Sequence, residues 1–218
     1  MPQERAITIE SGTSRLEGVL LLPDGSAEGA GPFPAVVICH PHPQYGGSMH
    51  NNVVSGAATG LLEHGVAALL FNFRGVGGGD GVPGDRDEAQ LDALAALDCA
   101  ARLEELDADR VALAGYSFGA GTAGAVARAS IPALALISVP LTMLERARDV
   151  LVAFPGPLLL LSGDCDEGSE EAGLRELAAA SAGSPEVHMV AGADHFWSGR
   201  EREIADAVGP FFADALAG

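Results

Sequence analysis

Ser117 lies in Gly-Tyr-Ser-Phe-Gly, residues 115–119, with a glycine two positions before it and two after. A serine held on a sharp strand-to-helix turn can present its hydroxyl as a nucleophile, and the turn closes only where neighbouring positions lack side chains. Such a nucleophile needs a base, and the base needs an orienting group. Both follow in order: acids at Asp164, Asp166 and Glu167, then His195 in Gly-Ala-Asp-His-Phe-Trp at 192–197. The chemistry this set could perform is acyl transfer. Asp166 is the preferred acid because it stands three residues beyond Gly163, far enough past a strand end to reach sideways to a histidine. Asp164 is the alternative.

Competing chemistries meet specific objections. Gly119 also opens a G-x-G-x-x-G pattern running to Gly124, which is a possible dinucleotide loop. A ribose-binding carboxylate should then close the next strand, but Ser138 and Val139 occupy that place and Glu145 lies beyond Pro140. Gly121 and Gly124 are read instead as allowing the helix to pack closely on the sheet. Asp164-x-Asp166 could open a calcium loop, yet its sixth and twelfth positions are Ser169 and Arg175, where glycine and glutamate are required.

An attacked carbonyl develops an oxyanion, which backbone N–H groups must face. One donor is Phe118, directly after the serine. The other is expected from His-Pro-His-Pro at 40–43, where Pro41 and Pro43 have no N–H and His42 is left. His40, His42 and His50 could alternatively ligate a metal. No acidic residue accompanies them locally, so the favoured role is shaping the oxyanion loop, with Gly46 and Gly47 letting it bend.

These residues need a frame. Residues 5–10 and 16–22 read as strands around a Ser-Gly-Thr-Ser turn, an antiparallel hairpin. Short, continuously apolar runs then follow at 34–40, 66–73, 110–116, 133–139, 157–163 and 186–192, separated by helix-length segments. Continuous apolarity is what strands covered on both faces require. Asp85 and Glu88 predict a reciprocal helix cap, followed by Leu91, Leu94, Leu97 and Ala101 at helical spacing; Leu174 and Leu177, and Ile204, Val208, Phe211 and Phe212, mark two later helices. The expected architecture is α/β, a doubly wound, mostly parallel sheet opened by an antiparallel hairpin, with 1–218 as a single domain. In such a sheet the loops at the strands' carboxyl ends form the crevice, and the segments carrying His42, Ser117, Asp166 and His195 all fall there.

Thirty acidic residues against twelve basic ones give a formal charge of −18, unsuited to nucleic acid or an anionic membrane surface. Every basic residue is an arginine, which removes a P-loop lysine and a lysine Schiff base. Three cysteines without C-x-x-C spacing fit a reducing compartment, and neither a signal-peptide pattern nor a membrane-length apolar run is seen. A cytoplasmic protein is expected.

Together, HPHPQYGGSMHNNVV, FNFRGVG, GYSFGAG, GDCDE and GADHFW resemble the α/β-hydrolase superfamily from about Arg15 onward, and most of all the small serine hydrolases near the dienelactone hydrolases. The resemblance implies Ser117 as nucleophile, His195 as base, Asp166 as acid, His42 and Phe118 as oxyanion donors, a small-molecule acyl substrate, and no cofactor. Dienelactone hydrolases often carry cysteine in the elbow, so Ser117 departs on substrate rather than reaction class. Only residues 140–156 separate the sixth and seventh strands, which implies a crevice without a lid domain. Val139, Leu141, Met143, Phe196 and Trp197 suit an apolar substrate wall and the core equally. Arg74, in FNFRGVGGGDG, is read as bracing a structural turn through Asp80 or Asp85, with an anionic substrate group as the alternative. The rival to an esterase-like hydrolase is a protein of the same fold that binds a small ligand or partner without turnover.

Overall fold

In the computed structural model, which describes residues 3–24, 31–183 and 185–217, eight strands form one sheet. They are β1 (Gln3–Ser11), β2 (Ser14–Leu22), β3 (Phe33–Cys39), β4 (Ala67–Phe71), β5 (Leu106–Tyr116), β6 (Leu134–Ile137), β7 (Leu158–Gly163) and β8 (Glu186–Val190). Their spatial order is β1-β2-β4-β3-β5-β6-β7-β8. The β1–β2 and β2–β4 pairs are antiparallel and the remaining pairs parallel, so the hairpin caps one edge of a parallel sheet.

The chain moves outward from β3 to β4, then crosses back to place β5 on the other side of β3. That reversal opens a crevice between the loops leaving β3 and β5, the place where open α/β sheets hold ligands. The register sets Cys39 opposite Gly115, so the turn after β5 starts beside the loop after β3.

Among the described residues seven helices cover the sheet: α1 (Asn52–Glu63), α2 (Arg86–Ala100), α3 (Phe118–Ala125), α4 (Leu141–Arg146), α5 (Arg148–Val152), α6 (Glu171–Ala180) and α7 (Glu201–Ala215). On one face, Val53, Ala57 and Leu61 of α1 and Ile204, Val208 and Phe212 of α7 pack on Val36, Ile38, Ala112 and Leu159. On the other, residues of α2 to α6 bury Val37, Leu69, Leu113 and Leu160. With apolar cover on both sides, β4 is buried at every position. The expected continuous apolarity fails at the edge: Glu186 and His188 of β8 are exposed, and on that face of the strand only Val190 is buried.

Two further details depart from the sequence reading. Asp85 caps α2 in a reciprocal box with Glu88, but the buried stripe is Ala89, Asp92, Ala93, Ala96, Leu97 and Ala100, leaving Leu91 exposed. Small residues bring α2 close to the sheet, and the stripe rotates to put Asp92 over Arg74. Arg74 duly braces its turn, but through Asp92 at 2.7 Å and Glu88 at 2.8 Å rather than Asp80 or Asp85. Asp80 pairs with Arg15 instead. Between β6 and β7 stand only the short α4 and α5, so no lid domain is inserted between those strands. No helix among the described residues is long and apolar enough to cross a membrane.

Candidate active site

Strand β5 ends at Tyr116 and α3 begins at Phe118, which leaves Ser117 alone to make the turn. Its backbone, at φ 54° and ψ −114°, lies where a side chain is rarely tolerated, at a cost of about 1–3 kcal/mol. Glycine explains how the turn closes: a Cβ on Gly115 would overlap the Gly119 carbonyl, and one on Gly119 would overlap the carbonyls of Cys39 and His40. Gly121 has another use. A Cβ there would collide with Met143 of α4, so it makes room for a neighbouring helix rather than for the sheet, while Gly124 has only ordinary contacts.

The turn delivers the Ser117 hydroxyl to His195, with Oγ 3.0 Å from Nε2. The other ring nitrogen, Nδ1, lies 2.9 Å from Oδ2 of Asp166. Asp166 is fully buried at its side chain, whereas the His195 ring is partly open to the crevice. Oδ1 of Asp166 accepts from the Gly168 N–H at 3.0 Å. Burial alone would raise the pKa of Asp166, but hydrogen bonds from His195, Ser138 and Gly168 outweigh it and hold the carboxyl below its usual range. The His195 loop is anchored from β5, where the Tyr116 hydroxyl donates to the His195 carbonyl at 2.6 Å.

Asp164 is not at this site. It is exposed, and its Oδ1 accepts from the Gly192 N–H at 2.7 Å, tying the loop after β7 to the turn after β8.

His42 and Phe118 meet across the crevice, with ring centroids 4.6 Å apart. Phe118 supplies the first N–H of α3, where a helix has no internal acceptor for it. His42 precedes a single 3-10 turn, Pro43–Tyr45, and its carbonyl accepts from both Tyr45 and Gly47. Gly47 presses so closely on Pro41 that no side chain would fit.

His40 has a different task. Its Nε2 accepts from the Phe73 N–H at 3.0 Å and its Nδ1 donates to the Pro41 carbonyl at 2.6 Å, so it links the loop after β3 to the end of β4. With both ring nitrogens engaged, it has no lone pair for a metal. Burial pushes its pKa down to about 4, which keeps it neutral. His50 is exposed, and no group of three or more His, Cys, Asp or Glu able to hold a metal occurs among the described residues.

Residues 11–203 match the profile of the S15 family, described as X-Pro dipeptidyl-peptidase. The chain belongs to that family. The S15 chain is 30% identical over 186 residues to an uncharacterized protein of Rickettsia prowazekii, covering 82% of this chain and 78% of that one. It superposes with a TM-score of 0.82 on a lidless α/β serine hydrolase from Xanthomonas campestris, 26% identical, covering 99% and 96% of the two chains. A dienelactone hydrolase from Anabaena variabilis has the same fold, with a TM-score of 0.81 at 20% identity over 99% of each chain. The S15 chain is therefore a hydrolase with a serine nucleophile on the α/β-hydrolase fold.

Beside Ser117 and His195 the S15 chain has a cleft of about 390 Å³, flanked by His42, Tyr45, Asn51 and Phe196. Tyr45 and Phe196 expose 88% and 68% of their surface, so two aromatic side chains stand at the mouth. Of the other residues offered as an apolar wall, Val139 and Trp197 are core, Leu141 packs against it, and Met143 lines a separate cleft beside α3. Trp197 is fully buried because its backbone turns back at φ 55°.

Proposed function

We propose that this chain hydrolyses a carboxylic ester or similar acyl compound through an acyl-enzyme on Ser117. The Ser117 oxygen attacks the carbonyl carbon while its proton passes to Nε2 of His195. The resulting oxyanion is met by the N–H groups of Phe118 and His42. His195 returns the proton to the leaving oxygen as the carbon–oxygen bond breaks. Water, deprotonated by His195, then releases the acid and restores Ser117. Asp166 fixes the imidazole tautomer and balances the positive charge that forms on it.

The observation that carries this reading is the continuous chain of contacts from Ser117 through His195 to a fully buried Asp166, at 3.0 and 2.9 Å. No cofactor takes part. The size of the cleft and its two exposed aromatic rings favour a small substrate with an apolar or aromatic acyl or alcohol group.

The family's description makes X-Pro peptides the second substrate class. Cleavage after an amino-terminal dipeptide calls for a carboxylate to receive the ammonium group; the cleft that holds Ser117 is lined by none, while Glu167 and Asp194 line the adjoining cleft that shares His195 and Phe196. Esters are the first choice because no carboxylate lines the cleft of Ser117 itself. Steady-state assays with p-nitrophenyl esters of increasing acyl length, beside X-Pro p-nitroanilides, test the choice. Ester turnover abolished in Ser117→Ala supports the proposal; inactivity across the whole series favours ligand binding without turnover.

A further inference from the structure

Tyr116 reaches the nucleophile and the base through different atoms. Its backbone ends β5 and leads straight into the strained turn at Ser117, while its hydroxyl donates to the His195 carbonyl, 79 positions away, at 2.6 Å. Both connections start from a rigid place. In the sheet Tyr116 pairs with Ile137 of β6, and the next N–H, that of Ser117, donates to the Ile137 carbonyl at 2.9 Å. The phenol ring is buried on the α1 and α7 side of the sheet, in the same core as Ala193 and Trp197, which stand two residues before and after His195. Its centroid lies 5.6 Å from that of the imidazole. Burial, with the Asp166 and Asp194 carboxylates nearby, raises the pKa of the hydroxyl, so it remains a donor at neutral pH.

Other bonds secure the same loop, but at neighbouring residues. Oδ1 of Asp194 accepts from the N–H groups of Phe196 and Trp197 at 2.9 and 3.1 Å, and Nδ2 of Asn52 donates to the Phe196 carbonyl at 3.0 Å. The Trp197 indole donates to the Ser138 hydroxyl oxygen at 2.9 Å. These bonds are independent of Tyr116 and keep the loop folded on the sheet. The Tyr116 bond differs because it falls on the His195 residue itself, whose ring must face Ser117. Any shift of that backbone carries the imidazole with it and alters the 3.0 Å separation of Nε2 from Oγ, to which proton transfer is sensitive.

We propose that Tyr116 is a positioning residue, which ties the His195 backbone to the strand that carries Ser117 and so sets the distance between base and nucleophile. The inference rests on the reading of Ser117, His195 and Asp166 as the hydrolytic set. Tyr116 exchanges no proton with the substrate and acts through His195.

The test compares Tyr116→Phe with Asn52→Ser on a p-nitrophenyl ester that the wild type turns over. Thermal melts identify folded protein, and titration with a fluorophosphonate counts the active chains. Tyr116→Phe keeps the ring, and with it the core packing and the part of the cleft wall that Tyr116 forms. Its kcat is expected to fall roughly tenfold, with KM within about twofold of wild type. The pH of half-maximal kcat/KM should not move, because the lost hydroxyl does not titrate in that range. Asn52→Ser loosens the same loop at Phe196 and should leave kcat within about twofold of wild type. A folded Tyr116→Phe with wild-type kcat, or an Asn52→Ser loss as large as that of Tyr116→Phe, would overturn the proposal. A wild type that neither turns over esters nor reacts with a fluorophosphonate would instead overturn the hydrolytic reading, and this inference with it.

Discussion

His195 and Asp166 are 29 positions apart in sequence, yet Nδ1 of one lies 2.9 Å from Oδ2 of the other. They meet because β7 and β8 are neighbours in register, with Gly163 opposite Val190, so that the loops leaving their carboxyl ends emerge side by side. The two aspartates near Gly163 thereby have different partners, His195 for Asp166 and the Gly192 N–H for Asp164. Asp166→Asn should lower kcat by about 10³ to 10⁴, since an amide favours the wrong imidazole tautomer. Asp164→Asn, at an exposed position bonded to Gly192, should stay within about threefold of wild type. Ester hydrolysis by the two purified variants checks the assignment, and the reverse ranking would make Asp164 the acid.

The glycines of the elbow are not equivalent. Gly119→Ala forces a Cβ into the carbonyls of Cys39 and His40, whereas Gly124→Ala meets Leu136 and Leu151 at 3.5 Å, an ordinary contact. The first substitution should destabilise the fold by about 2 kcal/mol or more, or prevent folding. The second should stabilise it by about 0.5 kcal/mol, because alanine restricts the unfolded chain and favours helix. Urea titration of both variants measures the difference.

Buried His40 couples stability to pH. Its pKa falls from 6.5 in an unfolded chain to about 4 in the fold, so between those values the unfolded state binds more protons. Stability must therefore decline as pH drops from about 6.5 toward 4, by about 3 kcal/mol from this group. Above pH 6.5 the group contributes no slope, and below 4 its effect is constant. His40→Gln is less stable at pH 7 because the contacts to Phe73 and Pro41 are disturbed, but it should lose about 3 kcal/mol less than wild type over that window. Denaturant titrations at pH 7 and pH 4.5 on both proteins provide the comparison.

Much of the architecture was legible because its causes are local. Strands buried on both faces must be continuously apolar, and the turn around Ser117 must have glycine where backbones abut. Chain order alone then placed His42, Ser117, Asp166 and His195 at one edge of the sheet. What was not legible depends on neighbours distant in sequence. The burial of Trp197 rather than Phe196 turns on a single positive φ. Arg74 found Asp92 because alanines, with Leu97 as the one buried leucine of α2, face the sheet. Ser138 read only as a missing carboxylate, since nothing in its own stretch of chain announces the Trp197 indole that donates to it.

An activated Ser117 should react with a fluorophosphonate, which intact-mass spectrometry with peptide mapping reads out, Ser117→Ala being treated in parallel. One adduct per chain is expected, located on Ser117 and absent from the variant. Folded protein that takes up no adduct, or takes it up at another residue, would show that Ser117 is not the nucleophile.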